Sequence, residues 1–302
     1  MTDLGGSVEI VRIADGPIEI EVLPQVGARL HRLRAFGIDV LRAPDDPRVH
    51  RADPWFWGSY VMAPWCNRVA PGPAIVAGRA IDLAPNFFDG SAIHGQVLAR
   101  PWRDEGNGRF RVAGGGDATG WPWPYDVELR VAIHGSEVTL ALQLTNRSDE
   151  PMPGGVGFHP WFLRPVRVAI AASRVLTTNV ASPPDPVPVT GRFDRRRLEA
   201  LPDGLDATWT DLAEPPVALA WPAAGIGATM TVEAPSLCIV AASPADKDAV
   251  AVEPQTHAPD GLRRLERGEP LGLALVPPGA TIGLAMRLAF ERSPEDRDPG
   301  QT

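Results

Sequence analysis

One histidine of the sequence lies in a segment whose composition suits acid–base chemistry. His159 belongs to residues 154–162 (GGVGFHPWF), where glycines permit unusual backbone and Pro160 restricts His159 to an extended conformation. An imidazole titrates near neutral pH, so His159 is a candidate general acid. Trp161 and Phe162 beside it offer apolar faces to a ligand. A histidine packed among core aromatic residues is an equally open interpretation.

A glutamate in the last third of the chain ends a short apolar strand pattern, residues 250–256 (VAVEPQT). Val250 and Val252 share one strand face, so Glu253 points to the opposite face with Ala251, and Pro254 is expected to end the strand. A carboxylate in that position is a candidate base with a raised pKa. A solvated side chain is the commoner case for an isolated strand-end glutamate, and the sequence leaves both interpretations open.

Two further segments carry candidate ligand-binding residues. Arg68, in residues 62–69 (MAPWCNRV), has a fork of donors for a ligand hydroxyl or a developing oxyanion. A surface arginine paired with a carboxylate is the alternative. His94 precedes Gly95, a step that lets backbone and imidazole approach a ligand closely. Taken alone, His94 is more often a structural histidine in a turn.

Other kinds of chemistry lack their usual sequence support. The chain has no G-x-G-x-x-G, G-x-x-x-x-G-K-[ST], G-x-S-x-G or H-E-x-x-H motif, which disfavours nucleotide-dependent and serine-hydrolase mechanisms. Lys247 is the only lysine and lies in an acidic, surface-like Asp-Lys-Asp setting, which argues against Schiff-base chemistry. The two cysteines provide neither a disulfide framework nor a four-ligand zinc site.

Charge and hydropathy indicate a soluble protein. The formal net charge is −8, with 29 Lys+Arg against 37 Asp+Glu, and the basic residues are scattered, so we expect no nucleic-acid partner. Residues 1–6 have no basic region followed by an apolar stretch, and no run of 18 apolar residues occurs. We therefore expect no membrane partner and a cytoplasmic location.

Alternating apolar and polar residues predict a chain of many short strands. The pattern recurs in residues 18–22, 127–133, 138–144 and 282–290, and residues 134–136 (HGS) predict a hairpin between the middle two. Helical spacing is weak and confined to residues 195–200 and 259–267. With 33 prolines and 30 glycines, the pattern predicts an all-β antiparallel sandwich or barrel.

The length and style of the chain predict one domain. Residues 1–292 keep the same strand pattern, with residues 181–188 (ASPPDPVP) as a surface excursion inside it. Residues 293–302 are charged and lack apolar anchors, so this tail is expected to be disordered.

The chemistry-bearing segments, in their order along the chain, resemble the signature blocks of the aldose 1-epimerase (galactose mutarotase-like) family. The matching blocks are Asn67-Arg68, His94-Gly95, His159-Pro160-Trp161-Phe162, Leu205-Asp206 and Val252-Glu253-Pro254-Gln255-Thr256. The resemblance implies a large twisted antiparallel β-sandwich, the galactose mutarotase-like supersandwich. It also implies that His159 is the acid, that Glu253 is the base, and that Arg68, His94 and Asp206 bind the substrate.

The activity implied by the resemblance is aldose 1-epimerase (mutarotase), which interconverts the α and β anomers of a free aldose by ring opening and reclosure. Such an enzyme acts on a small-molecule sugar and needs neither metal nor organic cofactor; a monomer or a homodimer is expected. The sequence departs from the best-known galactose mutarotases after Phe162, where Leu163-Arg164-Pro165 follows. This departure bears on the preferred sugar more than on the chemistry.

Three alternatives remain open at this point. A hexose-6-phosphate 1-epimerase would need a basic cluster near the pocket, for which Arg164 and Arg167 are candidates. A non-catalytic carbohydrate-binding β-sandwich would use tryptophans for binding. Trp55, Trp57 and the pair at positions 121 and 123 either line the cleft or fill loops, and packing is the commoner role of a loop tryptophan, so they are left out of the predicted site. Two histidines and Glu253 could instead hold a metal, although the H-x-[DE] spacing common in β-barrel metal sites is absent.

Overall fold

A computed structural model describes residues 6–116, 120–180 and 183–292, and most of its regular structure is β-strand. The predicted tail, residues 293–302, lies outside this range. The first strands are β1 (Val11–Asp15), β2 (Ile18–Leu23), β3 (Arg29–Ala35), β4 (Ile38–Asp39), β5 (Ser59–Met62), β6 (Arg68–Val69), β7 (Ala74–Val76), β8 (Arg79–Ile81), β9 (Ala92–Ile93), β10 (Arg103–Gly106), β11 (Arg109–Gly116) and β12 (Trp121–His134). They continue with β13 (Glu137–Asn146), β14 (Met152–Gly154), β15 (Gly157–Leu163), β16 (Arg167–Leu176), β17 (Val187–Pro188), β18 (Leu205–Trp221), β19 (Ile226–Glu233), β20 (Cys238–Ser243), β21 (Ala249–Gln255), β22 (Ala274–Val276) and β23 (Thr281–Arg292).

The alternating segments form strands because one face of each is apolar and finds a buried surface. Along β12 and β13, the residues predicted to share one face are buried, except Ile133 at the end, which is partly buried. The two strands form the predicted hairpin, with Val127 opposite Leu144 and Ile133 opposite Val138. The strand predicted over residues 282–290 is β23, which pairs with β13. The predicted all-β, antiparallel architecture is confirmed.

Within the described residues, seventeen strands join in one curled antiparallel sheet. One half runs β10–β11–β12–β13–β23–β19, and the other runs β1–β2–β3–β5–β15–β21–β20. The long strand β18 connects them, because residues 205–209 pair with β20 and residues 217–221 pair with β19. Pro215 and Pro216, which have no N–H to donate, lie between the two paired stretches.

The curled sheet encloses one large apolar core. Side chains from both halves of the sheet contribute to it, including Trp121, Trp123 and Trp209, which are among the largest fully buried side chains. A second, smaller apolar cluster is separate from this core and includes Tyr60 and Trp161. Trp121 and Trp123 are thus packing residues, the commoner of their two expected roles.

Helices are few and short among the described residues. The helices are α1 (Val49–Ala52), α2 (Gly261–Glu266) and the 3-10 turns Pro24–Val26, Gly191–Phe193 and Pro222–Ala224. The helix predicted around residues 259–267 is confirmed by α2. The one predicted for residues 195–200 is wrong, because backbone carbonyls of Arg195 and Glu199 accept hydrogen bonds from β16 instead. None of the helices in the described ranges is long and apolar enough to cross a membrane.

Candidate active site

All five residues predicted for the site line one open pocket with a cavity volume of about 360 Å³. This size lies within the range typical of small-molecule sites. The five are listed here in chain order: Arg68, His94, His159, Asp206 and Glu253. Segments separated by nearly two hundred residues therefore converge on one cavity.

Five adjacent strands form the floor of the pocket, in the order β5, β15, β21, β20 and β18. Their pairing register decides which side chains meet there. His159 on β15 lies between Tyr60 on β5 and the strand β21. The β15–β21 register pairs Gly157 with Gln255 and Trp161 with Ala251, which places His159 opposite Glu253. Side chains directly opposite on antiparallel strands lie within contact distance. Two residues farther along β15, Trp161 lies opposite Ala251, and this line of paired residues continues through Ala242 to Asp206. Trp161 and Asp206 therefore lie on the same face of the sheet.

Glu253 has the predicted orientation. Val250 and Val252 pack into the large core, whereas Ala249 and Ala251 belong to the smaller cluster on the opposite face. The Glu253 side chain points into the pocket and is buried, so the solvated strand-end alternative does not apply. β21 continues through Pro254 to Gln255, one residue beyond its predicted end.

His159 and Glu253 form a buried pair. His159 Nε2 lies 3.1 Å from Glu253 Oε1, and the other carboxylate oxygen, Oε2, accepts a hydrogen bond of 2.8 Å from Gln255 Nε2. The His159 ring stacks on Tyr60 with centroids 4.4 Å apart, and Trp161 lies 5.0 Å away. The strands and the aromatic rings thus fix the orientation of both functional groups.

Burial penalises charge on both members of this pair. It lowers the pKa of His159 to about 3. It raises the pKa of Glu253 well above its ordinary value, and the negative charge of Asp206 adds to the rise. Both directions favour a carboxylic acid beside a neutral imidazole. Moving that proton from Oε1 to Nε2 gives a carboxylate and an imidazolium, so one proton lets the pair act as acid and base together.

His94 is held in one tautomer by the backbone. It has a positive φ of 59°, and its Nδ1 accepts a hydrogen bond of 3.2 Å from the N–H of Asn67. Burial lowers the pKa of His94 well below its ordinary value, so the ring is neutral and its proton is on Nε2. His94 therefore offers an N–H donor beside His159, whose ring centroid is 5.0 Å away.

The glycine after His94 has a different role from the predicted one. Gly95 has φ 77°, and a Cβ there would lie 2.0 Å from the carbonyl oxygen of Ala63. The close approach that glycine permits is therefore between two backbone segments, and not between the backbone and a ligand. This contact fixes the turn that carries His94.

Arg68 is braced from two sides at the pocket wall. Its Nε donates to Asp89 Oδ2 at 2.7 Å, and its Nη1 donates to the carbonyl oxygen of Asn179 at 3.0 Å. The Asp206 carboxylate lies 4.0 Å from Nη1. Arg68 is paired with a carboxylate, as its alternative interpretation held, and it also faces the pocket with most of its side chain buried.

Asn179 is a site residue that the sequence interpretation missed. It lines the pocket, is buried, donates a hydrogen bond from Nδ2 to Asp206 and accepts one from the hydroxyl of Thr208. It therefore orients Asp206 toward the cavity. No pattern around Asn179 in the sequence distinguishes it from other polar loop residues.

Several other expectations need correction. Lys247 lines the pocket, forms an ion pair with Asp246 and lies 4.8 Å from the Phe56 ring centroid, so its surface-like interpretation was incomplete. Trp55 also lines the pocket and is not only a packing residue. Phe162 faces the core beside Trp221 and offers no face to a ligand.

Two histidines and a carboxylate are close enough to raise the question of a metal. One ligand atom each of His94, His159 and Glu253 lie within 4.8 Å of one another. The donor set fits a metal poorly, because His94 Nδ1 accepts a backbone N–H and its Nε2 consequently carries a proton. Binding a cation through His94 would require that hydrogen bond to break or that proton to leave.

The fold belongs to a known class of protein. Residues 11–284 match the family described as aldose 1-epimerase, and the chain belongs to this family. Among curated proteins it is similar to the uncharacterized protein YphB of Escherichia coli (strain K12). The two are 26% identical over 258 residues, covering 77% of this chain and 83% of YphB.

Solved structures agree on the fold. A galactose mutarotase-like protein from Clostridium acetobutylicum superimposes with a TM-score of 0.82 at 18% identity, covering 94% of this chain and 96% of that chain. The GalM/aldose epimerase homologue from C. elegans gives a TM-score of 0.79 at 15% identity, covering 95% and 100%. The predicted galactose mutarotase-like fold is thereby confirmed. Similarity at these identities speaks to the fold alone.

Proposed function

We propose that the protein is an aldose 1-epimerase that interconverts the α and β anomers of a free, uncharged aldose. The observation that carries the proposal is the buried contact of 3.1 Å between His159 Nε2 and Glu253 Oε1 at the floor of a sugar-sized pocket. Anomer exchange needs one group that removes a proton from the anomeric hydroxyl and one that protonates the ring oxygen. A carboxylate and an imidazolium in contact meet both needs.

In the proposed mechanism, Glu253 takes the proton of the anomeric hydroxyl while His159 protonates the ring oxygen. The ring opens to an aldehyde, the C1–C2 bond rotates, and the two residues exchange tasks during reclosure. Ring opening leaves the pair as a carboxylic acid and a neutral imidazole, which is the form that burial favours. Arg68 and the Nε2–H of His94 supply donors for oxygen atoms that gain negative charge.

The charges around the pocket favour an unphosphorylated sugar. Neither Arg164 nor Arg167 lines it; Arg164 donates to Ser243 Oγ at 2.7 Å and lies near Asp203. The basic residues that do line the pocket, Arg68 and Lys247, each have a carboxylate partner. A phosphate would have to compete with those carboxylates.

The test is anomer exchange measured by polarimetry or by proton NMR of the anomeric signals. The substrates are freshly dissolved α-glucose, α-galactose and a hexose 6-phosphate. Glu253→Gln and His159→Asn should each lower kcat by at least roughly 100-fold, because each removes one proton-transfer partner. Glu233→Gln, at an exposed position on β19, is the matched control and should behave as the wild type. Near-normal rates in either site variant would remove that residue from the mechanism.

A further inference from the structure

One aromatic side chain at the mouth of the pocket is unusually exposed. Phe88 lines the pocket, yet 84% of it is accessible to solvent. The next most exposed large apolar residue in the described part of the chain is Ile75, at 66%. An exposed large apolar ring at the edge of a ligand pocket is an indication of binding, because hiding it from water would be favourable.

Phe88 is held in this position by a braced turn. The Asn86 side chain makes two hydrogen bonds with the backbone of Ile93, donating at 3.1 Å and accepting at 2.7 Å. On the other side of Phe88, Asp89 accepts hydrogen bonds from Ser91 and from Arg68 of the pocket wall. The turn that carries Phe88 is therefore anchored to the site itself.

A row of aromatic rings leads from Phe88 down to the reacting groups. The rings of Phe88 and Phe87 have centroids 4.1 Å apart, and Phe87 meets Trp55 edge-on at 5.4 Å. Trp55 in turn lies 6.3 Å from the ring of His94. The apolar wall is thus continuous from the floor of the pocket to solvent. A ligand seated over the catalytic pair could extend along this wall.

Charges at the rim indicate that the outer part of such a ligand is neutral. The guanidinium of Arg68 is engaged by Asp89, and the ammonium of Lys247 by Asp246. A flat apolar ring between compensated charges suits the C–H face of a pyranose better than a phosphate or a carboxylate.

We propose that Phe88, backed by Phe87, forms an outer subsite that stacks on the second ring of a neutral reducing disaccharide. The reducing-end ring of that disaccharide lies over His159 and Glu253. This assignment rests on the proposed epimerase function and extends the substrates proposed there from free monosaccharides such as glucose to neutral reducing disaccharides.

The test compares disaccharides with their monosaccharide in wild type, Phe88→Ala and Ile75→Ala. Ile75 is the matched control, because it is an exposed apolar residue outside the pocket lining. Exchange of the reducing-end anomers is followed by NMR for maltose, cellobiose, lactose and glucose. Phe88→Ala should lower kcat/KM for at least one disaccharide about 3- to 10-fold, the scale of one aromatic stacking contact. Its rate on glucose should stay within about twofold of the wild type.

A second measurement separates this proposal from the epimerase function. Binding of the same sugars is titrated by tryptophan fluorescence, to which Trp55 and Trp161 in the pocket report. If no sugar shows accelerated exchange but Phe88→Ala selectively weakens disaccharide binding, the epimerase proposal fails and the subsite stands. If exchange is accelerated and Phe88→Ala affects glucose and disaccharides equally, or neither, the subsite is refuted. Failure of the wild type to bind any of the disaccharides refutes it as well.

Discussion

A buried arginine beneath Tyr60, the ring that stacks on His159, offers a demanding test of the electrostatics of the site. Arg29 is fully buried, and its guanidinium donates to the carbonyl oxygens of Pro54 and Trp57 at 2.7 and 3.0 Å. No carboxylate of the described residues lies within ion-pair distance of it. The guanidinium carbon lies 4.8 Å from the centroid of the Tyr60 ring, which stacks on His159 at 4.4 Å. Burial lowers the pKa of Arg29 to about 10, so it is still a cation at neutral pH.

The expected effect of this cation on His159 follows from distance. The two ring distances together limit the separation of guanidinium and imidazole to about 9 Å. With an effective dielectric constant of about 20, Coulomb's law gives about 2 kcal/mol at that separation. Such an energy changes the proton affinity of His159 roughly twentyfold. Removing the cation should therefore raise the pKa of His159 from about 3 by a little over one pH unit.

Two variants separate charge from geometry. Arg29→Met removes the cation, so the acidic limb of kcat/KM for anomer exchange should move upward by about one pH unit. Arg29→Lys keeps the cation, so its acidic limb should stay near that of the wild type. Arg29→Met loses both charge-assisted hydrogen bonds, to Pro54 and Trp57, each worth about 1.5–3 kcal/mol. Arg29→Lys cannot reproduce the guanidinium fork that makes them, so both variants should unfold at a lower temperature. An acidic limb that is the same in Arg29→Met and wild type would refute the electrostatic reasoning.

Two further predictions concern stability. Five of the six histidines are buried, and burial lowers the pKa of each. For His50, His94 and His257 the pKa in the folded protein lies well below 6.5, so their neutral forms stabilise the fold fully above pH 6.5, and each should cost about 1 kcal/mol between pH 6.5 and 5.5, as the unfolded chain binds protons. A melting temperature that stays constant from pH 7 to 5 would contradict this. Gly95→Ala places a Cβ against the carbonyl of Ala63 at a positive φ; we expect a loss of at least about 3 kcal/mol in unfolding free energy by urea denaturation. A midpoint equal to that of wild type would show that the turn relaxes freely.

Local patterns in the sequence predict the direction in which a side chain points better than they predict which residues surround it. The alternation of Val250 and Val252 was enough to predict the face of Glu253, because successive side chains in a strand point to opposite sides. It could not predict that this face would be buried. That outcome depends on β15 and β20 lying on either side of β21, and these pairings join strands far apart in the chain. The family resemblance, and not the strand pattern, is what singled out Asp206.

Residues missed at the site share a physical reason. Asn179 and Lys247 lie in irregular segments, where neither period nor motif indicates orientation. Lys247 lies in the connection between β20 and β21. It reaches the pocket because this connection adjoins the first residue of β21, the strand that carries Glu253. Its acidic neighbours in the sequence predict that Lys247 lies on an exposed surface. Its position near the cavity follows only from the pairing of the strands.

The way β18 joins the two halves of the sheet also bears on how the protein acquires activity. The pocket floor spans β5, β15, β21, β20 and β18, so its contacts link residues from 59 to 255. Contacts between residues so far apart in the sequence form slowly, because a long loop must lose conformational entropy on closing before the strand pairs can stabilise it. No shorter stretch of the chain contains His159 and Glu253 together with the strands around them. The proposed activity should therefore appear late in refolding, as a property of the assembled sheet and not of any one segment.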